Sequence, residues 1–165
     1  MKAVHLPAYE AFLRYLEIPG RDPPLLWLHG WQCTSSGELL EAAVQPSLSG
    51  RRSLLIDFLG HGYSDRPEKF GYTLEDHADT IVTLLDALGL MKRPLAAVLV
   101  GLAMPRWYLH GELSEPEPDY ERFLAESGIG FRIVPAAGHP MGLQNPAGLA
   151  ATVAGIVAES GQHWS

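Results

Sequence analysis

The sequence predicts an α/β layered fold, and three observations carry that prediction. Leu25-Leu26-Trp27-Leu28 is a short continuous apolar run closed by His29-Gly30, the pattern of a strand covered on both faces. Ser53–Phe58 repeats the pattern and is stopped by the glycines at 60 and 62. Thr73–Leu88 then reads as an amphipathic helix, so strand-like and helix-like segments alternate along the chain.

Taken in order, Phe12–Ile18 reads as a first strand and Gly20–Pro24 as a turn into the apolar run. Ser36–Leu48 fits a helix, with Leu39, Leu40, Ala43 and Val44 at helical spacing. In Thr73–Leu88, Thr73 as N-cap and Asp76 three residues on form a capping-box pattern, with Asp in place of the usual Glu. Ile81, Leu84, Leu85 and Leu88 make its apolar stripe, and Gly89 stands at the stop position. Trp107–His110 reads as a strand, Asp119–Ser127 as a helix and Phe131–Pro135 as a further strand. Pro146–Glu159 is an alanine-rich last helix.

Pro94–Pro105 resists assignment. Leu95–Val100 suits a buried strand, but only about five residues lead to the next one, and a parallel crossover needs about a dozen. The segment forms a hairpin, joins another subunit, or is a buried helix with Pro94 at its first position.

Composition narrows the function classes. The 165 residues (1–165) suit one domain able to bury its own core. Hydrophobic residues make up 47% and charged residues 19%, the balance of an ordinary globular protein. A formal net charge of −7, with no Lys/Arg run longer than a pair, argues against a nucleic-acid partner. Cys33 has no second cysteine to pair with inside the chain, which suits a reducing compartment. No stretch reads as a signal peptide or a membrane span, so a cytoplasmic protein with no membrane partner is expected. His29, His61 and His110 lack metal-ligand spacing, and neither a metal nor a cofactor is expected.

Three sets of residues resemble the α/β-hydrolase superfamily, in its esterase and epoxide-hydrolase-like branch. Leu25–Gly30 followed by Trp31 resembles the HG loop after that family's third strand. Asp57-Phe58-Leu59-Gly60-His61-Gly62-Tyr63-Ser64 resembles its D-x-x-G-x-G-x-S turn. Gly138-His139, then Asn145-Pro146 and a last helix, resembles the loop of the catalytic histidine, with Arg106–Glu112 on the strand that delivers the acid. The resemblance covers most of residues 12–160 in the family's order. It implies a reduced α/β-hydrolase fold, a mostly parallel sheet with helices on both faces.

The chain departs from the family at its centre. The nucleophile elbow G-x-S-x-G occurs nowhere in the sequence, and the usual following helix and cap are missing as well. One alignment places Val100-Gly101-Leu102-Ala103-Met104 on the elbow, with Ala103 at the nucleophile; the other deletes the elbow entirely. The acid position changes too, since G-x-x-D becomes Gly111-Glu112-Leu113-Ser114, with Glu115 one place further on.

The resemblance makes His139 the general base and Glu115 the acid that orients it, or else a loop histidine and a solvated carboxylate. It gives Trp31 a backbone N–H for the oxyanion. Cys33, Ser35 and Ser36 are the substitute nucleophiles to consider; otherwise Cys33 packs, and Ser35 or Ser36 caps the next helix. Asp57 and Ser64 are expected to brace their turn through hydrogen bonds to the backbone. Two functions follow: hydrolysis of small ester-like molecules, or a non-catalytic ligand-binding or interaction domain. A deleted or engineered form of a longer hydrolase is a third account. Loss of the central block should bare apolar surface, so a homodimer covering that face is expected, with Pro94–Pro105 exchanged as one form.

Overall fold

The computed structural model describes residues 1–30, 33–90, 107–115 and 118–160, with side chains from Arg122 onward in the last stretch. They fall into two compact units, the described residues of 1–37 with those of 51–90, and the described residues of 38–50 with those of 107–160. Pro94–Pro105 and Trp31 lie outside the described residues.

The first unit is built on a four-stranded sheet of order β1-β2-β4-β3. β1 (Lys2–Leu6) and β2 (Ala11–Ile18) form an antiparallel hairpin, β2 pairs antiparallel with β4 (Arg51–Asp57), and β3 (Arg21–Leu28) runs parallel to β4. β4 is central because its side chains tolerate cover on both faces: Leu54, Leu55 and Ile56 are fully buried, as are Ser53 and Asp57. The hairpin strand β1 carries no periodic apolar signal, and sequence reasoning missed it. β3 starts earlier than expected. Gly20–Pro24 is mostly strand rather than turn, but its register shifts between Arg21 and Leu25, where Pro23 and Pro24 have no N–H to give the ladder. Leu28 is half-exposed, so the run is not covered on both faces to its end.

Helix α2 (Leu74–Ala87) follows the expected pattern closely. Asp76 N–H donates to Thr73 Oγ1 and Thr73 N–H donates to Asp76 Oδ2, both at 3.1 Å, completing a capping box with the shorter acid. Ile81, Leu84 and Leu85 are buried with Leu13, Leu54, Ile56 and Leu59, and Leu88 packs against this cluster. Gly89 ends the helix at φ +67°, where a side chain would be strained.

In the second unit, β5 (Trp107–Gly111) pairs parallel with β6 (Gly130–Val134), and α3 (Pro118–Glu126) lies between them in sequence as the crossover. Close backbone approach requires glycine twice here: a Cβ on Gly130 would enter the Trp107 ring, and one on Gly111 would meet the Gly138 carbonyl. The expected helix Ser36–Leu48 is broken up. A π-helical turn (Ser35–Leu39) leads into the short α1 (Leu40–Ala43), and a 3-10 turn (Pro46–Leu48) follows where Pro46 ends the α-helix. After α4 (Met141–Gln144), α5 (Pro146–Ser160) packs on α1, on the 3-10 turn and on β6. Asn145 caps α5 by accepting from Gly148 N–H at 2.9 Å.

The architecture is α/β, as expected. Its pairing is more mixed than the expected mostly parallel sheet: among the described residues, β1-β2 and β2-β4 are antiparallel while β3-β4 and β5-β6 are parallel. The antiparallel share comes from the N-terminal hairpin.

Candidate functional site

The first unit brings the HG loop and the Asp57–Ser64 turn together through buried polar groups. His29 is buried, and its Nε2 accepts the Phe58 N–H at 3.0 Å. Its Nδ1 lies 2.8 Å from the Gly30 carbonyl, so the proton belongs on Nδ1 and the ring is neutral. One imidazole thus clips the end of β3 to Phe58, the second residue of the turn.

Asp57 is the hub. Its carboxylate is fully buried and accepts from Ser36 N–H at 3.0 Å, Ser36 Oγ at 2.7 Å and Tyr63 N–H at 3.2 Å. Three donors replace the water this group loses, as a buried carboxylate requires. Gly62 adopts φ +50°, and any Cβ there would strike Asp57 Oδ2. Ser64 Oγ donates to the Asp57 carbonyl and accepts Arg14 N–H at 2.8 Å, which pins the turn to β2. Asp57 and Ser64 therefore brace this turn, and Asp57 also reaches the loop after β3, a link that spacing alone does not reveal.

This arrangement fixes what the loop serines do. Ser35 is fully buried and its Oγ donates to the Trp27 carbonyl at 2.9 Å. Ser36 Oγ donates to Asp57. Neither is the cap expected for the next helical turn; Thr34 is, through Oγ1 and Gly37 N–H at 3.1 Å. Cys33 is half-buried, and its N–H donates to the Gly30 carbonyl at 3.3 Å.

The second unit holds His139 and Glu115. Because β5 and β6 are parallel and in register, the loops carrying these residues leave the same end of the pair. Both side chains are exposed. What is tightly held is the backbone between them. Glu112 N–H donates to Val134 O at 3.0 Å, and Leu113 N–H donates to Ala137 O at 2.8 Å. Glu112 Oε2 accepts Ala136 N–H at 2.8 Å, and Asn145 Nδ2 donates to Pro135 O at 2.7 Å. Gly138 N–H donates to Gln144 Oε1, and Met141 N–H donates to His139 O at 2.9 Å. Glu112, which sequence reasoning passed over, is thus the carboxylate that shapes the histidine loop. His110 lies on β5 beside Tyr108 and Phe131. Among the described residues no group of three or more His, Cys, Asp or Glu is placed to hold a metal ion.

Residues 23–93, which include the HG loop, the Asp57–Ser64 turn and α2, match the family model of the α/β hydrolase fold. Solved structures extend the likeness to nearly the whole chain. One described as a predicted CIB-like hydrolase from Thermoplasma acidophilum superposes with a TM-score of 0.70 at 16% identity, covering 96% of this chain and 97% of the other. An N-acyl homoserine lactone degrading enzyme superposes at 0.68 and 16% identity, covering 90% and 98%. At such identities the likeness concerns fold. Residues 23–93 are therefore α/β-hydrolase sequence, and the chain has the α/β-hydrolase fold.

Among curated proteins, haloalkane dehalogenase 2 of Mycobacterium tuberculosis is 38% identical over 72 residues, 43% of this chain and 24% of that protein. The mesoderm-specific transcript homolog protein of Bos taurus is 34% identical over 76 residues, 46% of this chain and 22% of that protein. The matched stretch thus spans about a quarter of these relatives' length.

Proposed function

We propose that this chain keeps a hydrolase scaffold without serine chemistry, and binds small ester-like molecules rather than turning them over. The observation that carries the reading is the commitment of both loop hydroxyls. A serine nucleophile must be able to give its proton to a base. The Ser35 hydroxyl donates its hydrogen bond to the Trp27 carbonyl, which is no base, and the Ser36 hydroxyl donates to Asp57, a carboxylate whose basicity is already lowered by the Ser36 and Tyr63 N–H groups it accepts. Freeing either hydroxyl strips a buried acceptor of its partner, which costs about 1–3 kcal/mol. With no elbow serine in the sequence, these were the serines nearest the HG loop.

A second reading is weak hydrolysis of small carboxylic esters with His139 as base. It is supported by the parallel β5-β6 pair, which sends the His139 and Glu115 loops off at one end. In that chemistry His139 takes a proton from a water or a thiol, the nucleophile adds to the carbonyl, and the acyl–oxygen bond breaks. The proton returns to the leaving alcohol. Where the nucleophile is a thiol, a water activated in the same way then cleaves the acyl–sulfur bond and the thiol regains its proton.

One experiment separates the two. Hydrolysis of a short-chain aryl ester is followed with the purified protein, with His139→Ala and with Cys33→Ala. Equal rates for all three, with thermal stabilisation of the protein by a non-hydrolysable ketone of the same shape, fit the binding reading. A rate that falls to background in His139→Ala overturns it and establishes the second; Cys33→Ala then shows whether the thiol is the nucleophile.

A homodimer is proposed alongside either reading, because the shortened centre should leave apolar surface to cover. Size-exclusion chromatography with light scattering at micromolar concentration is expected to give twice the chain mass. A monodisperse monomer contradicts it. No helix among the described residues is long and apolar enough to cross a membrane. A cytoplasmic location is likewise a proposal, resting on the lone cysteine.

A further inference from the structure

Beyond ligand binding, the first unit contains a group of rings that the proposed function does not use. His29 and Phe58 have ring centroids 4.8 Å apart, and Phe58 and His77 are 4.9 Å apart. His61 closes the group, 5.0 Å from His29 and 6.3 Å from His77. The four rings come from the end of β3, the turn after β4, and α2. Phe70, 5.0 Å from His77, and Tyr72, 6.1 Å away, complete the apolar surround.

We propose that His29, Phe58, His61 and His77 form a ring clasp that is closed while the His29 and His77 imidazoles are neutral and loosens on acidification. Two separate features make it so. His29 Nε2 accepts the Phe58 N–H at 3.0 Å, and a proton on Nε2 would set donor against donor. His77 is only 8% exposed, and its buried Nδ1 has no hydrogen-bond partner. A charge placed there would be neither solvated nor hydrogen-bonded at that atom.

Of the titratable groups that act on His77, one attracts a proton and two repel it. On α2 itself, Asp76 attracts a proton toward His77, but its carboxylate already accepts from Thr73. Asp57, at the end of β4, is taken by Ser36 and Tyr63. From the turn and the HG loop, His61 and His29 would repel. The Tyr72 hydroxyl donates to the Pro67 carbonyl at 3.4 Å. Burial first, then His61, holds the His77 pKa below its ordinary 6.5. A histidine with a lowered folded-state pKa contributes stability above its unfolded value. That contribution begins to disappear below about pH 6.5 and is fully lost once the pH passes the folded-state value.

The test uses the full chain. Urea unfolding is measured at about pH 7.5 and about pH 5.5 for wild type and His77→Phe, alongside a wild-type titration of the histidine ring nitrogens by NMR. Wild type is expected to lose more stability on acidification than His77→Phe, because the phenyl ring keeps the packing without the titration. The His77 ring should stay neutral below the pH at which a peptide histidine titrates, and the exchange protection of the Phe58 amide should fall as His29 gains its proton. Should His77→Phe fail to fold, the wild-type titration decides alone. Equal acid sensitivity in the two proteins, a His77 ring that titrates at the peptide value, or a Phe58 amide with unchanged protection overturns the clasp.

Discussion

The turn Asp57–Ser64 and the loop Pro135–Asn145 both carry residues that resemble a hydrolase site, yet the two are built in opposite ways. In the turn, side chains hold the backbone: Asp57 is fully buried and takes three donors, and Ser64 joins the turn to β2. In the loop, the hydrogen bonds come from Glu112, Gln144, Asn145 and the backbone, while His139 stays in solvent. The lesson is that polar residues of a recognisable motif divide into those that make the shape and those the shape presents. Substitutions should separate the two groups by stability.

Asp57→Ala is the harshest break. It removes the buried carboxylate that gathers three part-buried donors and should cost about 3 kcal/mol or more in urea unfolding. A loss below about 1 kcal/mol would mean that the hub is not needed. Gly62→Ala comes next, at about 2 kcal/mol, since it combines a positive φ with a collision against Asp57. If Gly62→Ala were neutral, the turn would not hold the conformation described. Thr73→Ala should cost about 1 kcal/mol by opening the capping box, a test of α2 alone. The smallest effects belong to the other group. His139→Ala and Glu115→Gln should change stability by less than about 0.5 kcal/mol, because both side chains are exposed. A large loss in either would place it among the shape-making residues and erase the contrast.

What could be read in advance follows from the same division. Continuous apolar runs and a 3.6-residue stripe are strong signals, and β4 and α2 match them closely. The turn was legible because its glycines and its Asp57 sit at fixed offsets in one short segment. The link from Asp57 to Ser36 was not legible, because it joins residues 21 apart through tertiary packing. For the same reason Ser35 and Ser36 read as helix caps, although their hydroxyls bond to Trp27 and Asp57. Thr34, the actual cap, is the one whose hydroxyl accepts from Gly37 N–H. Glu112 was overlooked beside Glu115 because nothing in their local sequence distinguishes a carboxylate that accepts a backbone N–H from one facing water. β1 escaped because a short strand in a hairpin needs little apolar patterning of its own.

The central claim, that neither loop serine can act as a nucleophile, has a direct test. The intact protein is exposed to a fluorophosphonate, which phosphonylates activated serine hydroxyls, and the digest is mapped by mass spectrometry. The structure predicts Ser35 and Ser36 unmodified at times when an ordinary serine hydrolase is fully labelled. A stable adduct on either serine, lost in His139→Ala, would show a working nucleophile and contradict the account.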